Sequence, residues 1–179
     1  MKTMALTLVL VVCACGFALV ALQRPQPASA TAARVDLRDE IADVRAEAWR
    51  LQLLMGLPRT PSRGVGRAAS ASYQRWVLRL WTRRVRQLRL RAQHPPHARA
   101  FLCIHRYEGP WTAATGNGYY GGLQMDLAFQ RHYGAQLLRR KGTADRWTPL
   151  EQIWAAEKAL RAGRGYWPWP NSARLCGLI

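Results

Sequence analysis

Between Tyr107 and Trp111 stands one carboxylic acid, Glu108, and the next acidic side chain along the chain is Asp126. A carboxyl group beside aromatic rings is shielded from water, which favours its protonated form. In that form it can hand a proton to a departing oxygen and later take one back. Thr115, Tyr119 and Gln124 follow as groups able to hydrogen-bond a polar ligand, and Trp111 and Trp167 as flat indoles able to stack on one. Each also has a plain structural use: Glu108 as a solvated helix end, Gln124 as a pin between hairpin and helix, Trp167 as filler against Cys176. Asp126 reads either as a second acid or as a first-turn helix residue favoured by the dipole.

These residues fall in a segment, 98–179, that holds ten of the 14 glycines and five of the 8 tryptophans, a composition closer to a carbohydrate cleft than to a helical spacer. The spacing predicts a helix over Arg99–Tyr107, stopped by Gly109-Pro110. Thr115 to Tyr120, with its Gly-Asn-Gly core between aromatics, predicts a short β-hairpin. A further helix is expected directly after Gly121-Gly122, turning Leu123, Leu127 and Phe129 or His132 inward. Thr148-Pro149-Leu150-Glu151 is a capping box with proline at the first helical position, and Gly163 supplies the stop. The expected fold is α+β, mainly helical, with one small hairpin.

The whole chain of 179 residues leaves room for one such domain plus accessories, which excludes a large multidomain enzyme. Lys2, the uncharged run Met4–Leu22 and the small-residue site Ala28-Ser29-Ala30 predict a signal peptide over 1–30, or a retained anchor if the segment is not cut. Cys13 and Cys15 lie within that run. In an exported chain the remaining thiols, Cys103 and Cys176, bracket one domain and suggest a disulfide. The competing metal reading recruits His94, His97 or His105 around Cys103, yet no ligand pair recurs at zinc-finger spacing. No metal or other cofactor is expected.

Two helices precede the domain. Leu37, Ile41, Val44, Ala48, Leu51 and Met55 line a seam on an amphipathic helix within 31–57, suited to a short coiled coil or to packing on the next domain. A Pro/Gly-rich linker, 58–69, is expected to act as a hinge. A second helix and its proline hinge, 70–97, set Tyr73, Trp76, Val77, Leu80, Trp81, Val85 and Leu88 against Arg75, Arg79, Arg83, Arg86 and Arg89. The formal net charge is +17, and ten arginines with no acid lie in 59–97. Such a face is solvated, or it attaches to anionic wall polymers or a membrane surface; nucleic acid is not expected as a partner of an exported chain.

Trp111 and the run Thr115-Gly116-Asn117-Gly118-Tyr119-Tyr120-Gly121-Gly122-Leu123-Gln124 closely resemble the central motif of the resuscitation-promoting factor family, the transglycosylase-like domains of actinobacterial cell-wall enzymes. The resemblance continues through Glu151-Gln152-Ile153 and Ala156-Glu157-Lys158 and returns at Trp167-Pro168-Trp169 and Cys176-Gly177. It covers nearly all of 98–179 and none of the upstream helices.

The resemblance implies a lysozyme-like fold and cleavage of peptidoglycan glycan strands. Glu108 matches the family's catalytic acid, the glutamate just before the tryptophan. Because no other acid lies between Gly109 and Met125, one glutamate acting first as acid and then as base fits a lytic transglycosylase, with the sugar's 6-hydroxyl attacking in place of water. A muramidase-type hydrolysis assisted by Asp126 stays open. The resulting expectation is a secreted or envelope-associated peptidoglycan-cleaving enzyme. Its alternatives are a catalytically silent wall-binding module using the same cleft and a membrane-active protein built on the arginine helix.

Overall fold

The computed structural model describes residues 36–62 and 69–179. The leader-like segment with Cys13 and Cys15 lies outside them, as do 63–68 of the expected linker. Helix α1 (Leu37–Leu54) begins where the Asp36 carboxylate accepts a hydrogen bond from the Arg38 amide at 3.0 Å. Helix α2 (Ala71–Ala92) begins on the Ser70 hydroxyl, which accepts from the Tyr73 amide at 3.3 Å. Ile41, Ala48, Leu51 and Met55 of the first helix segment bury with Val77, Trp81, Val85, Leu88 and Ala92 of the second in one apolar cluster.

The buried stripe of α2 is narrower than the sequence suggests. Tyr73, Trp76 and Leu80, expected on the apolar face, are exposed. One partner helix covers only the central row of a helix face, and α1 is that partner. The expected hinge also differs at its start. Thr60 is tied to α1 by the Gln52 amide (Nε2 to Oγ1, 2.8 Å), by its own amide to Gln52 Oε1 (3.1 Å) and by Trp49 Nε1 to its carbonyl (2.9 Å). The amide and the carbonyl of Thr60, which a free linker would leave to water, are therefore both satisfied.

The rest of the chain is mainly helical around a two-stranded sheet: α3 (Ala98–Glu108), β1 (Tyr119–Tyr120), β2 (Met125–Asp126), α4 (Leu127–Tyr133), α5 (Ala135–Lys141), α6 (Pro149–Ala159) and α7 (Pro170–Leu175). The strands pair antiparallel, Tyr119 opposite Asp126 and Tyr120 opposite Met125. Phe101, Ile104, Leu123, Met125, Leu137, Trp147, Ile153 and Trp169 form the core of this α+β, lysozyme-like domain. The expected capping box is present at α6: Thr148 Oγ1 accepts from the Glu151 amide and Glu151 Oε2 from the Thr148 amide. Gly163, with φ 83°, breaks the turn that continues α6.

Helix α6 is buried almost all round, because it serves both apolar clusters. Ile153, Ala155 and Ala156 belong to the domain core, whereas Trp154 belongs to the α1–α2 cluster and donates its indole N–H to the Ala92 carbonyl at 2.8 Å. Next along α6, the buried Glu157 carboxylate accepts from the His97 backbone amide (2.6 Å) and lies 3.1 Å from His97 Nδ1. An acid at that point satisfies an orphan donor at the start of α3 and complements its dipole.

Arg161 donates to the Met55 carbonyl at the end of α1. Beside it, burial first and the Arg161 charge second push the Lys158 ammonium down to about 8. In the unfolded chain the same lysine titrates near its ordinary 10.5. Between these values the unfolded state holds a proton that the folded state has released, so stability should rise with pH through this window. Urea unfolding at pH 7.5 and pH 9.5 checks this: the wild type gains stability at the higher pH, and Lys158→Met loses that gain.

Candidate active site

Helix α3 points three successive inward positions at the domain: Phe101 and Ile104 into the core, then Glu108 one turn later at the helix end. Gly109 follows with φ 144°, a conformation that lets the chain leave the helix sharply at the carboxylate. Glu108 is half-buried. Its Oε1 accepts a 2.5 Å hydrogen bond from the Ser172 hydroxyl, which is itself 2% exposed on α7. Among the described residues Oε2 has no protein partner, so it is the oxygen free to meet a ligand.

The disulfide between Cys103 and Cys176, with Cα atoms 6.0 Å apart, joins the same two helices. Cys176 lies one turn beyond Ser172, and Cys103 lies in the body of α3. The covalent tie and the Ser172–Glu108 hydrogen bond thus link α3 and α7 at two points along their lengths.

In front of Glu108 is a cavity of about 300 Å³ lined by Tyr119, Gln124, Pro168, Trp169, Pro170 and Asn171. Tyr119, Gln124, Pro168 and Trp169 also line a second cavity of about 490 Å³ that runs on past Asp126, Phe129, His132 and Arg164. The two are parts of one groove. Its walls mix aromatic rings with polar side chains, as a ligand groove's do.

The hairpin at the groove is not shaped as its sequence suggests. Gly116-Asn117-Gly118 lies ahead of the strands, and the reversal occurs at Gly121–Gln124. Gln124 takes φ 45°, and its amide N–H bonds back to the Gly121 carbonyl at 3.0 Å. Leu123 is fully buried in this turn instead of opening a helix. The helix begins only at Leu127, and Asp126 is its N-cap, accepting from the Phe129 amide at 2.6 Å.

Behind the turn lies Gln152, whose Nε2 donates to the carbonyls of Trp111 (2.8 Å) and Ala144 (2.8 Å) and lies 3.2 Å from that of Trp147. Gln152 also packs against Gly121, where φ is 73° and a Cβ would fall 2.4 Å from Gln152 Oε1. Gly121→Ala should therefore cost about 2–4 kcal/mol, from the clash together with the left-handed backbone. Thermal unfolding measures the loss, and a stability within error of wild type would show that Gln152 does not hold the turn.

Of the groups that the sequence singles out, the structure brings Glu108, Tyr119 and Gln124 to the groove. Gln124 Nε2 also donates to the Gly121 carbonyl (2.9 Å), the pinning role open to it, while its Oε1 has no protein partner among the described residues. Trp111 is half-buried and stacks on the His105 ring at 3.9 Å between centroids. Thr115 is exposed and lines neither cavity, and Trp167 is 64% exposed.

The indole that does line the groove is Trp169, which donates its Nε1–H to the Leu123 carbonyl at 2.6 Å and packs its ring on Phe101 and Phe129. Sequence reasoning gives no site role to Ser172, nor to Gln152 and Trp169, although the last two lie in the runs Glu151-Gln152-Ile153 and Trp167-Pro168-Trp169. A proline at the first position of α7, directly after Trp169, is the one local signal that Ser172 sits in the opening turn of a helix. Among the described residues no three His, Cys, Asp or Glu side chains gather as a metal site would require.

A mainly helical α+β domain with a small antiparallel hairpin, a long groove and a carboxyl at the end of a helix defines the lysozyme-like class. Residues 106–172 match the family model of the transglycosylase-like domain. Over 70 residues the chain is 40% identical to a resuscitation-promoting factor of Corynebacterium glutamicum, a match that takes in 39% of this chain and 35% of that protein. The C-terminal part of the chain is therefore similar to the transglycosylase-like domain. The chain spans about a third of the length of that curated relative.

Proposed function

We propose that this chain cleaves the glycan strand of peptidoglycan outside the cytoplasm, with Glu108 as the acid that protonates the departing sugar oxygen. The observation that carries this reading is the carboxyl of Glu108 at the groove, one oxygen held by buried Ser172 and the other without a partner among the described residues. A carboxyl fixed through Oε1 presents Oε2 in one orientation, which is what proton transfer at a bound oxygen requires. Tyr119 and Gln124 supply hydrogen bonds to the saccharide, and Trp169 supplies a wall of the groove at its centre. Trp111, Thr115 and Trp167 serve the outer parts of the binding surface or its support.

After the bond breaks, the carboxylate takes a proton back. In a lytic transglycosylase that proton comes from the sugar's own 6-hydroxyl, whose oxygen closes on the anomeric carbon to give a 1,6-anhydro end. Asp126 supports this single-carboxylate reading, because one of its oxygens is committed to capping α4. Lys2, Met4–Leu22 and Ala28-Ser29-Ala30 support export, and so does the disulfide, a bond that persists in oxidising compartments.

Purified protein incubated with peptidoglycan, with the products read by mass spectrometry, tests the proposal: 1,6-anhydro ends should appear and Asp126→Asn should cost little. Reducing ends, together with parallel losses in the Asp126 and Glu108 variants, would instead establish a two-carboxylate hydrolase. The absence of any cleavage, with retention on peptidoglycan, would establish a silent wall-binding module.

A further inference from the structure

Helix α2 carries a second surface that its seam with α1 leaves uncovered. Tyr73, Trp76 and Leu80, spaced by three and four residues, form one row and are 51%, 48% and 38% exposed. The Tyr73 and Trp76 rings stack on each other at 5.6 Å, so they already form an ordered aromatic plate. Beside this row runs another, Arg75, Arg79, Arg83 and Arg86, all exposed, with Leu90 continuing it at 56% exposure. Among the described residues none of these four arginines pairs with a carboxylate; the ion pair that α2 makes uses Arg89, on Glu47. Neither the apolar row nor the charge is used within the described fold.

The two rows together select the occupant. A hydrated polyanion would be met by guanidinium groups alone and would leave the aromatic plate in water. An apolar groove on a protein would leave four like charges uncompensated. The boundary between headgroups and acyl chains of an anionic bilayer takes both, because tyrosine, tryptophan and leucine enter the apolar side while arginines reach the phosphates. We propose that this face of α2 docks on an anionic lipid surface, the helix lying in the plane of the interface. The inference is independent of the glycan-cleavage reading, since no residue of the groove takes part.

The test uses the full chain and sedimentation with phosphatidylcholine vesicles made with and without phosphatidylglycerol. Every variant keeps Met4–Leu22, so differences among variants report on α2. Removing charge in Arg79→Gln/Arg83→Gln should weaken binding to the anionic vesicles by about fivefold per arginine. Tyr73→Ser/Trp76→Ser should weaken it by at least ~10-fold through lost apolar burial. Neither pair should alter binding to neutral vesicles or the rate on soluble glycan.

Three results would overturn the proposal. One is anionic-vesicle binding that neither pair changes. Another is binding that follows the arginines alone and is displaced by soluble polyphosphate, which would make the face a site for hydrated polyanions. The last is a dimer, seen by sedimentation velocity, that Tyr73→Ser/Trp76→Ser dissociates, which would make the face a contact between copies of this chain.

Discussion

Glu108→Gln should lower the rate of glycan cleavage by ~10²–10⁴-fold while leaving the protein folded and able to bind peptidoglycan. The carboxamide keeps an oxygen that can accept from the Ser172 hydroxyl, so the side chain stays where the carboxyl was. What disappears is the transferable proton. Release of soluble fragments from peptidoglycan measures the rate, and sedimentation with the insoluble polymer measures binding. A variant that clears peptidoglycan near the wild-type rate would remove Glu108 from the chemistry, and Asp126 on the same groove would become the first residue to re-examine.

The surroundings of the candidate site are legible in the sequence wherever their determinants are local or belong to a contiguous motif. Thr148 and Glu151 are three residues apart and cap each other, so their pattern names their geometry. Glu108 is marked by the helix-breaking Gly109-Pro110 and by the motif that follows. Its hydroxyl partner is not, because Ser172 lies 64 residues away and reaches Glu108 only once α7 has packed on α3. Gln152 and the Trp111 carbonyl, 41 residues apart, are hidden in the same way.

The hairpin was misplaced for a different reason. Gly116-Asn117-Gly118 has the conformational freedom a turn needs, but freedom does not compel a turn. Gln152 packing against Gly121 and the burial of Leu123 set the reversal further on. Trp167 and Trp169 are indistinguishable by composition. Only the hydrogen bond to Leu123 and the packing against Phe101 and Phe129 decide which one enters the core.

Replacing Cys103 and Cys176 together by alanine should destabilise the protein by about 4 kcal/mol, because the closed loop spans 73 positions and its entropy returns to the unfolded chain. For a protein of this length the loss corresponds to a fall in Tm of roughly 10 °C. Scanning calorimetry of the double variant, and of the wild type with and without reductant, measures it. The reduced wild type should fall to the level of the variant. Cleavage should weaken below the unfolding transition as well, since the bond joins the helices whose ends bring Ser172 to Glu108. Equal melting temperatures for the oxidised, reduced and variant proteins would show that packing of α3 on α7 is sufficient alone.

Trp154 has a bearing on how such a chain can be divided. Its ring lies among the side chains of α1 and α2 and its N–H is satisfied by Ala92, yet it sits on the helix that also walls the domain core. Cutting the chain at residue 98 would leave that indole's apolar ring facing water, on a helix whose remaining inward residues would then be covered from one side only. The packed unit that includes Trp154 is therefore wider than the 106–172 segment that matches the family model. Through Trp154 the arginine-rich helix and the domain share one packed surface.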